Sequence, residues 1–442
     1  MKKIVLSAAT VVLLLVLVSG SLFAGGGRQQ GSGTAAPSTG EISGNFEFWG
    51  PDGAGANPND PGNIWWRETI AAFKAKYSRV NMQISSTPGT ANEYLVKLTT
   101  EIAAGRSPDV MVTWLTGRLQ PFVEAGRVRP LNDFVDARPE LKKILSPLAL
   151  SYATFNNKFY AIPMLKSCEI IFYNKRIFAE NKLSIPKTYD EFMTLCANLK
   201  TRGIQPVVTG NADVWPGAMP YMMLFNRMHG NDLYQQVVVQ HQAKFDDPVF
   251  AETGRKLQEM FRAGVFNSNI NSTKYDEAQS KFIAGEAAMI FDGEWAVSGF
   301  LDRMEDEFGI FPFPDVPGGK GSVNDWLLNY NDGLAISSNS KNLPAAEAWL
   351  EFIFSVERQV DYATKGRLVA TVNLPIDYTK LPPVIGELNS GMDSAQNAYN
   401  AWDNPLGAVM GNEFNLAVQR CFAGEDPVKV FQDLNRIARM EW

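Results

Sequence analysis

Short β-prone runs alternate with helix-period segments along most of this chain, and four of the runs lead into a tryptophan. Ile42 to Trp49 alternates as a strand, with Phe46 and Phe48 on one side. Trp66, Ile70, Phe73 and Tyr77 then fall at i, i+4, i+7 and i+11, one face of a helix. Val80 to Ser85 alternates again. Strand, helix, strand is the opening of a parallel α/β layer. Tyr94, Leu95, Leu98 and Ile102 make the next helical face, closed by Gly105, and the β-prone Val110 to Thr113 ends at Trp114.

The same grammar continues. Ile170 to Tyr173, Gln205 to Thr209, Ala287 to Phe291 and Gly333 to Ser337 read as strands. Thr188 and Glu191 form a capping box that opens a helix carrying Phe192, Leu195 and Leu199. The proline-punctuated run 308–319 reads as an extended crossover, and Ala370 to Leu374 as another crossing. At 442 residues the chain is too long for one ordinary core, so two domains are expected.

The N-terminus reads as a secretory leader. Lys2 and Lys3 precede the apolar Ile4 to Val18, and the small residues up to Ala24 suit cleavage there. Residues 25–44 are rich in Gly, Ser, Thr and Ala and read as a flexible tether. No cysteine near the cleavage point supports lipid attachment. The mature protein is therefore expected in the periplasm or cell envelope. The net charge is −6, with no basic block, which argues against nucleic acid as a partner. Cys168, Cys196 and Cys421 are far apart in sequence and allow at most one disulfide.

Catalytic motifs are scarce: there is no GxSxG, Walker A, GxGxxG after a strand, HExxH or CxxC. His229 and His241 are the only histidines, so no cofactor or metal is expected. Asp292 and Glu294 resemble a glycosidase pair only in type. A turn residue and a hydroxyl acceptor is the reading preferred for them.

What the sequence does offer is aromatics beside amides and carboxylates. Trp49, Trp114, Trp215, Trp295 and Trp402 fall at expected loops or element ends. A sugar presents apolar C–H faces and a rim of hydroxyls. Covering one face with an indole removes roughly 50 Å² from water, about 1 kcal/mol at ~25 cal/mol/Å². Each well-made hydroxyl hydrogen bond nets ~0.5–1.5 kcal/mol. Asp52, Asn211, Asp213, Glu294, Asn331, Asp332 and Arg367 are the polar candidates.

Several stretches in this order resemble the extracellular solute-binding proteins of bacterial ABC importers, in the maltose-binding-protein-like, family 1 cluster. They are residues 101–114 (EIAAGRSPDVMVTW), 156–163 (NNKFYAIP), 172–192 (FYNKRIFAENKLSIPKTYDEF), 199–206 (LKTRGIQP), 282–295 (FIAGEAAMIFDGEW) and 332–341 (DGLAISSNSK). The resemblance implies an α/β, two-lobed, periplasmic-binding-protein-like fold. Each lobe would be a mostly parallel sheet flanked by helices, joined by crossing hinge segments near Tyr160, Gly309 and Val369. It places residues 45–160 plus 309–368 in the N-terminal lobe and 161–308 plus 369–442 in the C-terminal lobe. Trp114, Trp215, Trp295 and Trp402 take the family's ligand-stacking positions, Trp49 also fits, and Asp332 and Arg367 are looser transfers.

The function implied is binding of a mono- or oligosaccharide in the cleft and delivery to the membrane permease, by a monomer and without catalysis. A receptor subunit for a non-sugar solute and a secreted carbohydrate-active enzyme are the alternatives.

Overall fold

Two open sheets, each with one strand running against the others, organise the chain. The structure, a computed structural model, describes residues 41–53, 59–86, 91–330, 332–366 and 369–442. The expected leader and most of the tether lie outside these residues. Both sheets belong to one unit spanning Ile42–Trp442.

The strands in chain order are β1 (Gly44–Trp49), β2 (Val80–Ser85), β3 (Val110–Trp114), β4 (Thr154–Phe155), β5 (Lys158–Phe159), β6 (Ile162–Pro163) and β7 (Lys166–Asn174). There follow β8 (Gln205–Val208), β9 (Ala287–Gly293), β10 (Phe308–Phe311), β11 (Asp325–Tyr330), β12 (Asp332–Ile336) and β13 (Asn397–Tyr399). The first sheet has the order β2-β1-β3-β12-β6. β1 is parallel to β2 and β3, while β12 is antiparallel to both β3 and β6. The second sheet runs β13-β11-β7-β9-β8, with β10 also on β7. β7 is antiparallel to β9, β10 and β11, so it is the one reversed strand there. β4 and β5 form a separate hairpin.

The cores follow from the strand periods. Phe46 and Phe48 both point inward onto Trp349 of the helix Leu343–Ile353, with Phe73 of the helix Pro61–Lys76 completing the cluster. Under the second sheet, Tyr221 and Phe225 of the helix Ala218–His229 pack with Trp402 and with Phe414 of the helix Gly407–Phe422. The three cysteines are buried with free thiols. Burial pushes the Cys421 thiol up to about 12.

Three segments cross between the sheets. The first is 163–166, from β6 into the reversed β7. The second passes from Tyr330 at the end of β11 to Asp332 at the start of the reversed β12. The third is 369–372, tied by bridges Leu165↔Ala370 and Leu145↔Val372 and by Lys166 N–H donating to the Val369 carbonyl at 3.0 Å. The expected crossing near Gly309 is corrected. Gly309 sits in β10 opposite Tyr173, and β10 and β11 both belong to the second sheet. Phe308, Phe311 and Phe313 are buried there. Gly309 lets β10 close up, because a Cβ would come within 2.6 Å of the Tyr173 ring.

Asp109, in the loop before β3, knits the first sheet together. One oxygen accepts from Glu47 N–H at 2.8 Å. The other accepts from the Ser340 hydroxyl at 2.7 Å and from the Lys341 and Asn342 N–H groups at 2.7 and 3.1 Å. One carboxylate thus closes β1, β3 and the turn after β12. Hydrogen bonds to a charged group contribute ~1.5–3 kcal/mol each, and orphaned donors cost more. Asp109→Ala should therefore lower stability by about 3 kcal/mol in equilibrium urea unfolding, while Asp109→Asn should lose less. Equal stability of wild type and Asp109→Ala would refute this account of the sheet.

Candidate functional site

The strand ends of both sheets meet the aromatics singled out above, but in ways that separate them. In the second sheet the Asp292-Gly293-Glu294-Trp295 turn folds Trp295 back over its own strand. Gly293 makes that possible: a Cβ there would lie 2.2 Å from the indole. Trp295 Nε1–H donates to the Tyr275 hydroxyl at 2.9 Å, and that hydroxyl donates to Asp292 Oδ1 at 2.7 Å. Gln279 Nε2 donates to the Tyr275 hydroxyl at 2.7 Å and to Asp292 Oδ2 at 3.0 Å, and Gly293 N–H donates to Asp292 Oδ1 at 2.8 Å. Burial pushes Asp292 up to about 6 against these donors.

Trp215 closes the group, 4.8 Å from the Tyr275 ring and edge-on to Trp295 at 6.0 Å. Asp213 Oδ2 accepts from Tyr275 N–H at 2.9 Å. So Trp215, Trp295 and Asp213 come together around Tyr275. Sequence reasoning passed over that tyrosine because it opens a helix rather than following a strand.

On the first sheet, half-buried Trp114 stands opposite Asp332 in the β3–β12 ladder. Tyr94 lies 5.9 Å from the Trp114 ring, and the Arg118 guanidinium lies 5.8 Å from it. Burial raises the Asp332 carboxyl to about 6, with Arg118 pulling the other way. Asp52 accepts from the Ser86 hydroxyl at 2.6 Å. Arg118 was missed because a lone arginine in a turn reads as solvated.

Three candidates are buried away from the cavity lining. Trp49 is buried among Leu98, Ile102 and Met111, its indole N–H donating to Glu47 at 2.7 Å. Its position at a strand end fits, but its ring faces inward. Trp402 is 1% exposed and packs inside the second lobe's core. Asn211 is fully buried and holds backbone, accepting from Gly217 N–H at 3.0 Å and donating to Asn271 at 2.7 Å. Asn331 and Arg367 lie outside the described residues.

Glu294 is also repurposed. Its side chain is buried, and Oε1 accepts from Val369 N–H at 3.0 Å, on the third crossing segment. Oε2 has no partner. Burial pushes its carboxyl up to about 8; the Val369 N–H opposes this and Asp332 adds to it.

A cavity of about 480 Å³ opens between residues 116–155 on one side and residues 234–241 and 398–405 on the other. One wall carries Gln120, Tyr152 and Phe155, the other Tyr234, His241 and Tyr399. Among the described residues no Lys, Arg, Asp or Glu lines it, and none of the described candidates named from sequence does. Aromatic faces, amides and hydroxyls bound a space without formal charge. That chemistry matches a neutral ligand with apolar faces and a polar rim. Among the described residues no group of three or more His, Cys, Asp and Glu is placed to hold a metal ion.

A model of the bacterial extracellular solute-binding protein family matches residues 23–360. An uncharacterized ABC transporter extracellular-binding protein of Pyrococcus horikoshii is 26% identical over 335 residues, covering 71% of this chain and 72% of the relative. The multiple sugar-binding protein of Streptococcus mutans is 23% identical over 306 residues, covering 67% of this chain and 69% of that one. The solved structure of a chitin oligosaccharide binding protein superposes with a TM-score of 0.81 at 25% identity, covering 90% of this chain and 98% of that one.

Glu294 makes stability depend on pH. Its folded value of about 8 stands above its ordinary 4.5. Between these values the folded state holds a proton that the unfolded state has released. Its contribution is therefore fully present below about 4.5 and is lost as pH rises through about 8, on the order of a few kcal/mol in all. Glu294→Gln keeps an acceptor for Val369 N–H and cannot ionise. Its melting temperature should fall less than that of wild type between pH 5 and pH 8.5 (about the span of the shift). Parallel melting curves would contradict the assignment.

Proposed function

Because the chain belongs to the bacterial extracellular solute-binding protein family, we propose that it binds a neutral mono- or oligosaccharide in the cleft between its two lobes and delivers it to an ABC importer. The observation that carries this reading is the uncharged cavity walled by Tyr152, Phe155, Tyr234 and Tyr399 with Gln120, Gln235 and Asn400. An amino acid or phosphorylated solute would be held by paired charges, and this lining offers none. Sugar C–H faces fit the rings, and the hydroxyls fit the amides.

Trp114, Trp215 and Trp295 stand with the cavity residues as ring-stacking candidates, and Asp332 as a hydroxyl acceptor. In this reading the lobes divide at the three crossings. Residues 45–163 and the part from Asp332 into the third crossing form one lobe, and the remainder forms the other. The two hinge relative to each other. The protein acts as an exported monomer whose leader is cleaved near Ala24, and it carries no catalytic role. Among the described residues no helix is long and apolar enough to cross a membrane. The sugar-binding names of relatives, among them the multiple sugar-binding and chitin oligosaccharide binding proteins, support the ligand class.

Calorimetric titration against neutral sugars, amino acids and phosphorylated sugars tests the reading. Binding confined to neutral saccharides, recovered unchanged, is expected. Tight binding of a charged solute alone would overturn it. Removing one ring from the cavity, as in Tyr152→Ala or Tyr234→Ala, should weaken the tightest sugar by about 1–2 kcal/mol, roughly 5- to 30-fold. Trp402→Phe shrinks a buried ring that packs on Tyr234 at 6.0 Å without itself lining the cavity, so it should lower stability and weaken the sugar less than Tyr234→Ala does.

A further inference from the structure

One wall of the cavity is made by the chain closing on itself. Thr116 and Gly117, just after β3, line it from the first lobe, and Pro405, from the loop after β13, lines it from the second. Between them stand Arg118 and Asp403, 285 residues apart in sequence. Arg118 Nη2 lies 2.8 Å from Asp403 Oδ2, and its Nε–H donates to the Asp403 carbonyl at 3.2 Å. Asn415 Nδ2 holds the same Asp403 oxygen from behind at 3.4 Å. The two side chains are only 10% and 17% exposed, so solvent and salt screen the pair weakly.

The backbones close just as tightly. A Cβ on Gly117 would lie 2.2 Å from the Pro405 carbonyl oxygen and 2.9 Å from that of Asn404. Gly407, facing Gly117, takes a φ of +79°, which favours glycine. Thr116 carries a φ of +54°, a strained conformation for a β-branched residue. Strain held at one lobe's strand end, and spent on a contact with the other lobe, marks a purposeful junction rather than a chance approach.

We propose that Arg118 and Asp403, with Gly117 seated against the 404–407 loop, form a latch that holds the cleft closed without a ligand. Neither charged side chain lines the cavity, and the two charges cancel beside it. Ligand entry then waits on the latch opening. In this scheme closure is an equilibrium the protein already favours, and a ligand shifts it further only through contacts unique to the closed state. The inference rests on the two-lobed fold and on the cleft being the binding site, and not on what the ligand is.

The test uses the ligand-free full chain with spin labels at Val96→Cys and Val428→Cys, one on each lobe; both positions are exposed, and the native thiols are buried. Pulsed electron–electron distance measurement should show a predominantly short, narrow distribution. Arg118→Ala and the milder Asp403→Asn should each shift the open-to-closed ratio by about fivefold, the effect of ~1 kcal/mol. The double reversal Arg118→Asp with Asp403→Arg should restore the short distance. Circular dichroism confirms that each variant is folded, and Asp403→Asn carries the test if Arg118→Ala is not. Wild type as open as the single variants, or a double reversal that stays open, would overturn the latch. Neither outcome bears on the sugar titrations, so the two readings fail separately.

Discussion

Hydrogen bonding among three chain segments that pass side by side between the sheets is the constraint on which the rest depends. Backbone groups there have no helix or long ladder of their own, yet they are buried and must be paired. Met164 N–H donates to the Asp332 carbonyl at 2.7 Å, and Lys166 N–H donates to that of Val369 at 3.0 Å. The Thr371 hydroxyl donates to the Pro163 carbonyl at 2.6 Å. Glu294 supplies the remaining acceptor, for Val369 N–H. The reversed strands β7 and β12 both begin directly after a crossing, so these bonds also set the register of each sheet. Few bonds across a narrow bundle is the arrangement a hinge needs, because bending about it leaves both cores intact.

From that bundle the function-bearing geometry follows. Both sheets turn strand ends toward the space between them, and strand ends are where side chains are free of the ladder. Trp114, Tyr94 and Arg118 gather at the end of β3, and Trp215, Tyr275 and Trp295 gather at the end of β9. Beside them Asp332 and Asp292 are buried and pushed toward neutrality, in keeping with the neutral ligand proposed above.

Much of this was legible in the sequence because local chemistry decides it. Val80 to Ser85 alternates and is a strand at those bounds. The Asp-Gly-Glu-Trp turn placed Trp295 at the mouth of its strand, and Gly293 shows why the glycine is needed. What was not legible depends on facing and on distance along the chain. Trp49 and Trp402 sit at element ends like the others, but only packing reveals that their rings turn inward. The cavity draws residues from near 116, 152, 234 and 399, which no periodicity connects. The crossing expected at Gly309 failed because an extended, proline-rich run looks alike whether it leaves a sheet or adds a strand to its edge. Glu294 looked like a site residue because a carboxylate beside a cleft tryptophan usually is; its bond to Val369 comes from 75 residues away.

The most direct test of the central claim is a crystal structure of the full chain with its tightest neutral saccharide. The account predicts the sugar between the lobes, with rings against Tyr152, Phe155, Tyr234 or Tyr399 and hydroxyls on the amides of Gln120, Gln235 or Asn400. A saccharide bound outside the cleft, or a cleft that takes only a charged solute, would contradict it.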